Sequence, residues 1–226
     1  MQKTILCYGD SNTWGYIPQP FSAQNFTLSR YPRDKRWSGR LQAHLGDNYY
    51  VIEEGLNSRT TNLDYHIEPD RNGKRYLAPC LYTHAPIDLV IMALGGNDLK
   101  ASFEREAGDI ASGLGELIDV VKSSTYGPDM RTSPNILIIP PPIPLPVIEE
   151  LYDENGCALF KGAIEKAQKL IDLYALLATE KKCFYLEDVS DVLPSSVDGM
   201  HFDCSAHAKI ADKIAEKVKW IYSELY

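Results

Sequence analysis

The chain has 226 residues, 44% of them hydrophobic, and a formal net charge of −8 at pH 7. That length and apolar content support one sizeable α/β core, read as a single domain over residues 1–226. The acidic balance excludes the basic face that a nucleic-acid partner demands, and the absence of a run of about 18 apolar residues predicts no membrane span.

The first predicted strand is Thr4–Tyr8, with the apolar run Ile5-Leu6-Cys7-Tyr8. It starts too early to leave room for a secretory signal of the usual kind, so the expected compartment is the cytoplasm, the alternative being a mature form with its leader removed. It runs into Gly9-Asp10-Ser11-Asn12-Thr13-Trp14-Gly15, a sharp strand-to-helix turn. Ser11 is expected at the C-terminal edge of a sheet, beside the backbone N–H groups of a helix start. Asp10 is expected to hold the turn through its own backbone.

Further strands are predicted at Tyr49–Glu53, Asp88–Leu94, Asn135–Pro140 and Cys183–Leu186. Helices are predicted at Arg36–Leu45, Glu104–Ser123, Gly156–Thr179 and Asp203–Tyr222. The run from Ile87 to Leu94 is too continuously apolar for a sheet with one wet face, so it belongs to a parallel strand covered on both sides. Alternating strands and helices then imply right-handed crossovers in one parallel sheet of about five strands, with helices on both faces.

Three segments read as irregular: Ile17–Asp34, Thr60–Pro86 and the proline run from Pro140 to Pro146. They are expected at the C-terminal ends of strands, where open parallel sheets bind ligands, or at a subunit interface.

The cysteines are Cys7, Cys80, Cys157, Cys183 and Cys204. Their odd count and wide spacing suit reduced thiols better than a disulfide framework or a zinc site. Cys7 reads as core. Cys204 follows His201 by three residues, and packing at a helix start is preferred over a Cys/His pair. His207 is expected to face solvent.

Four blocks carry chemistry. Ser11 follows the first strand, Gly55-Leu56-Asn57-Ser58-Arg59-Thr60-Thr61 the second, and Gly95-Gly96-Asn97-Asp98 the third, while Asp198-Gly199-Met200-His201 precedes the last helix. A serine hydroxyl is a weak nucleophile at neutral pH and needs a base, for which His201 is the candidate, oriented by Asp198. Attack on an ester carbonyl builds charge on oxygen. The candidate donors to it are the Ser11 N–H, the Gly55 N–H and the Asn97 side-chain amide. Taken singly, each block has a plainer use: Ser11 as a helix N-cap, Gly95–Asp98 and Asp198-Gly199 as turns, His201 as a capping residue. Their order and placement at strand ends make them specific. Asp10, Asp198 and His201 could also supply metal ligands, in which case a chelator would abolish activity.

These blocks closely resemble, nearly end to end, those of the SGNH hydrolases, or GDSL-type esterases. The resemblance is to the aryl esterase and acyltransferase branch that includes perhydrolases. It is carried by Gly-Asp-Ser-x-Thr-Trp-Gly at 9–15, Arg36-Trp37-Ser38-Gly39, Glu53-Glu54-Gly55-Leu56 running into Ser58-Arg59-Thr60-Thr61, and Pro140–Pro142. It implies a flavodoxin-like α/β/α sandwich with Ser11, Gly55, Asn97 and His201 as the four named residues and Asp198 completing the triad. It also implies a short-acyl ester substrate, no metal or other cofactor, and a homo-oligomer that narrows the site entrance. Asn12 stands where the name motif has Leu, and Asn57-Ser58 where the branch has Ser-Ala. Asn12 and Asn57 are therefore expected beside the nucleophile as substrate contacts, and Trp14, one helical turn beyond Ser11, is expected either to wall the acyl pocket or to pack in the core. The activity expected is hydrolysis of short acetyl or aryl esters, with transfer to alcohols or peroxide. The alternatives are a carbohydrate O-acetyl esterase with the same triad and a binding module that lost turnover.

Overall fold

The computed structural model describes residues 2–20, 28–65 and 68–224. Five strands, β1 (Lys3–Gly9), β2 (Tyr49–Gly55), β3 (Leu89–Ala93), β4 (Asn135–Ile138) and β5 (Phe184–Tyr185), form one sheet in the order β2-β1-β3-β4-β5. All pairings are parallel. The helices are α1 (Ser11–Trp14), α2 (Trp37–Leu45), α3 (Gly73–His84), α4 (Ala107–Lys122), α5 (Ala163–Glu180) and α6 (Cys204–Glu224). This is the α/β/α sandwich of the expectation.

The strand sequences explain the layering. In β1, Leu6 and Tyr8 point into the core shared with α3, α4 and α5, while Ile5 and Cys7 point into the core under α2 and α6. In β3, Val90 and Met92 take the first face and Leu89 and Ile91 the second. Each such side chain, fully buried, contributes about 1.5–3 kcal/mol, so a strand apolar on both faces is fixed in register from both sides.

The chain moves outward from β1 to β2, then crosses back to place β3 on the other side of β1. That reversal opens a crevice beyond the strand ends between β1 and β3. Register aligns Gly9 with both Gly55 and Ala93, so the segments after β1, β2 and β3 leave the sheet at one level.

Two expectations need correction. The segment Thr60–Pro86 holds a full helix, α3, capped by the Asn72 side chain accepting from the Lys74 N–H. Pro79 inside that helix and Gly73 at its start disguise it, since both read as breakers. The helix expected from Gly156 begins only at Ala163, because Asp153 folds residues 153–157 into a turn through the N–H groups of Asn155 and Cys157.

Candidate active site

Ser11 sits at the first residue of α1, directly after the end of β1. Asp10 caps this turn: its Oδ1 accepts from the Asn12 N–H at 3.0 Å. His201 comes from the loop before α6. Its Nε2 lies 2.9 Å from Ser11 Oγ, and its Nδ1 lies 2.8 Å from Asp198 Oδ2. A carboxylate at Nδ1 accepts, which puts the ring proton on Nδ1 and leaves Nε2 to accept from the serine. The Tyr16 ring packs on the His201 ring at 4.3 Å between centroids.

The loop that delivers this pair is built by its own carboxylate. Asp198 Oδ1 accepts from the Met200 and His201 N–H groups at 3.0 and 2.9 Å. Burial acts to raise the Asp198 carboxyl, but the hydrogen bonds and charge of His201 outweigh it and hold it below the usual range. Gly199 at φ 71° makes the turn, and its carbonyl accepts from the Leu145 N–H at 2.8 Å. The proline-rich segment therefore braces the histidine loop from behind.

Asn12 does a different job from the one expected. Its Oδ1 accepts from the Phe202 N–H at 2.8 Å and its Nδ2 reaches the Met200 carbonyl at 3.4 Å. The amide pins the serine helix to the histidine loop; Asn12 is absent from the lining of the larger pocket at Ser11 and lines a small cleft that shares Ser11, Asn97 and Met200 with it. Trp14 also lies outside the lining, with the Arg30 guanidinium 4.9 Å over its ring. Asn57 does line the pocket, and its Oδ1 is buried with no hydrogen-bond partner among the described residues.

The second expected oxyanion donor also needs correction. Gly55 is in register with Gly9, and the ladder bond runs from the Leu56 N–H to the Gly9 carbonyl. Successive residues of a parallel strand bond to alternate sides, so with Leu56 bonded to β1 the Gly55 N–H points away from β1. A Cβ at Gly55 would lie 2.1 Å from the Trp14 nitrogen, so this glycine admits α1 rather than a ligand. Ser58, three residues on, lines the pocket with Ser11 and Asn97, and its φ is +61°. The signal was its place in the turn after β2, but nothing local showed the left-handed backbone.

Asn97 opens a 3₁₀ turn after β3, with its Nδ2 donating to the Arg59 carbonyl at 3.3 Å. The neighbouring Asp98 is fully buried and ties this turn to the β2 segment. It accepts from the Thr61 N–H, from the Thr61 hydroxyl at 2.7 Å and from Arg105 Nη1 at 2.6 Å. Burial raises the Asp98 carboxyl, opposed by Thr61 and Arg105.

Asp10 gives a pH test of this buried frame. Burial raises its carboxyl from 3.8 to about 6, against the Asn12 N–H bond. A raised carboxyl means that the folded state binds the proton more tightly. That contribution is present below pH 3.8 and is lost as pH rises through about 6. Asp10→Asn keeps an acceptor for Asn12 and removes the titration. From pH 4 to pH 7 its stability should gain on wild type by about 2 kcal/mol, read by chemical denaturation. A constant difference across that window contradicts the burial account.

The pocket beside Ser11 has a volume of about 480 Å³, within the range of small-molecule sites. Its lining includes the apolar side chains Leu28, Leu159, Phe160 and Met200 and the polar side chains Asn57, Glu68, Arg71, Lys100 and Ser102. Asp10, Asp198 and His201 do not form a converging metal-ligand group among the described residues. Glu54, Cys80 and His84 do, with His84 Nε2 2.7 Å from Glu54 Oε1. That group lies on β2 and α3, apart from the pocket lining. His207, expected in solvent, is fully buried, accepts from the Trp37 N–H at 3.2 Å and is pushed down to about 3 by burial. Among the described residues no helix is long and apolar enough to cross a membrane.

The family described as GDSL-like Lipase/Acylhydrolase matches residues 7–196. Among solved structures, Est24, a carbohydrate acetylesterase from Sinorhizobium meliloti, is 36% identical over 97% of this chain and 100% of its own, with a TM-score of 0.87. The aryl esterase of M. smegmatis is 36% identical over 96% of this chain and 98% of its own, with a TM-score of 0.84. Comparison with curated proteins gives no match.

Proposed function

We propose that this chain, which belongs to the GDSL-like lipase/acylhydrolase (SGNH hydrolase) family and is a carboxylic ester hydrolase, cleaves short acetyl or aryl esters through an acyl-enzyme on Ser11. The observation that carries this reading is the aligned pair of contacts Ser11 Oγ–His201 Nε2 and His201 Nδ1–Asp198 Oδ2 at the edge of the pocket. His201 takes the serine proton as Oγ attacks the ester carbonyl, then gives it to the departing alkoxide. Asp198 holds the tautomer and stabilises the imidazolium. The Ser11 and Ser58 N–H groups and the Asn97 amide receive the charge on the carbonyl oxygen. Water, activated by the same histidine, releases the acid. An alcohol or peroxide in its place would give transfer or perhydrolysis.

A panel of p-nitrophenyl esters of rising chain length, with and without added alcohol, tests the acyl preference. Turnover confined to short acyl chains supports it, and a preference for long chains contradicts it. A second reading, a carbohydrate O-acetyl ester, is favoured by the polar side chains Asn57, Glu68, Arg71, Lys100 and Ser102 in the pocket lining, which suit sugar hydroxyls. Faster release of acetate from acetylated sugars than from aryl acetates would select it.

Ser58 supplies backbone only, so Ser58→Gly should keep kcat within about twofold and relieve strain of about 1 kcal/mol at its positive φ. A loss of activity beyond about tenfold would instead give the Ser58 hydroxyl a role.

The chain is further proposed to act as one domain and as a homo-oligomer, through Ile17–Asp34 and Pro140–Asn155. Residues 21–27 lie outside the described residues, but Leu28, Val147 and Tyr152 in these segments are exposed. Light scattering at micromolar concentration should give a multiple of the monomer mass; a monomer contradicts the assembly.

A further inference from the structure

We propose that Lys100 is a positioning residue for ester hydrolysis: bonded to Asn97 Oδ1, its ammonium fixes which end of the Asn97 amide meets the developing oxyanion. This rests on the reading of Asn97 as an oxyanion donor.

An asparagine amide has a donor end and an acceptor end of nearly equal size. Turned one way it donates to an anion; turned the other, its carbonyl oxygen repels the same anion. Only the surroundings decide. Lys100 Nζ donates to Asn97 Oδ1 at 2.9 Å, and an ammonium, having no acceptor, tolerates only the oxygen end. On the opposite side Asn97 Nδ2 donates to the Arg59 carbonyl at 3.3 Å, and a carbonyl tolerates only the nitrogen end. The two anchors agree, and the second N–H of the amide remains for the substrate oxygen.

The spacing explains why residue 100 reaches residue 97. Asn97–Leu99 is a 3₁₀ turn closed by the Lys100 N–H on the Asn97 carbonyl at 3.4 Å. Side chains three apart eclipse in that geometry, so the lysine stem lies over the amide. The ammonium sits 5.2 Å from the Tyr65 ring centre and 5.7 Å from that of Phe103. It is partly buried, and burial lowers its pKa against the charges of Glu68, Asp98 and Asp10. A charge so placed is screened less than one in water, and it polarises the amide N–H bonds toward the pocket.

Lys100 also lines the pocket, so the rival role is direct contact with substrate. Steady-state kinetics on p-nitrophenyl acetate for Asn97→Ala, Lys100→Met, Lys100→Arg and the Asn97→Ala/Lys100→Met double variant separates them. Lys100→Met should lower kcat about tenfold with KM changed less than about twofold. Lys100→Arg, still a pure donor, should recover most of that loss. In the Asn97→Ala background, Lys100→Met should cost less than about a further twofold. Equal losses in both backgrounds, a change in KM alone, or wild-type kcat in Lys100→Met overturns the proposal. Wild-type kcat in Asn97→Ala overturns the oxyanion reading beneath it instead.

Discussion

Ser11→Ala should lower kcat for short aryl esters on the order of 10⁶-fold. The size follows from the arrangement: nucleophile and base act as one unit, so losing the hydroxyl leaves only binding and oxyanion stabilisation. The variant should fold normally, because the hydroxyl's described partner is His201 Nε2 alone. Chelators should leave wild-type activity unchanged, since every role in the proposed mechanism falls to a side chain or backbone N–H. A residual rate within about tenfold of wild type would remove Ser11 from the chemistry.

Asp198→Asn should cost about 10⁴-fold in kcat with little change in KM. Asp198 has two jobs on separate oxygens. Oδ1 holds the loop through the Met200 and His201 N–H groups, and Oδ2 faces His201 Nδ1. Asparagine keeps an acceptor for the first job. At the second it presents an N–H, which forces the ring proton to Nε2, so the ring donates where it should accept. Kinetics alongside thermal melting check this. A melting point near wild type with a large loss in kcat assigns the effect to the tautomer. Equal loss in Asp198→Asn and a collapsed fold would make the carboxylate a structural element only.

The strand-end logic was readable in the sequence because it is local. A run such as Leu89–Ala93, apolar at every position, has only one stable home, and the turn that follows each strand is written in glycine, asparagine and aspartate. Ser11, Asn97, Asp198 and His201 are legible for that reason, and the structure brings the first and last two within hydrogen-bond reach. The misreadings concern partners distant in the chain. Asn12 beside a nucleophile reads as a pocket wall, yet its amide serves Phe202, 190 residues away. Gly55 signals a close approach, but no sequence says whether a ligand or α1 approaches. His207 lies six residues from His201, a poor helical metal spacing that reads as solvent-facing, while in space it is enclosed by the Tyr31 and Phe202 rings, each edge-on to it. Helix α3 was hidden because Pro79 and Gly73 oppose local helix propensity, and Leu77, Cys80 and Leu81 buried against the sheet override them.

The most direct test of a covalent Ser11 is labelling by a fluorophosphonate followed by peptide mass spectrometry. Wild type should lose activity as one phosphonyl group appears on the peptide carrying Ser11, and Ser11→Ala should take up none there. Inactivation with the label on another residue, or full activity retained by protein labelled at Ser11, would contradict an acyl-enzyme on that serine.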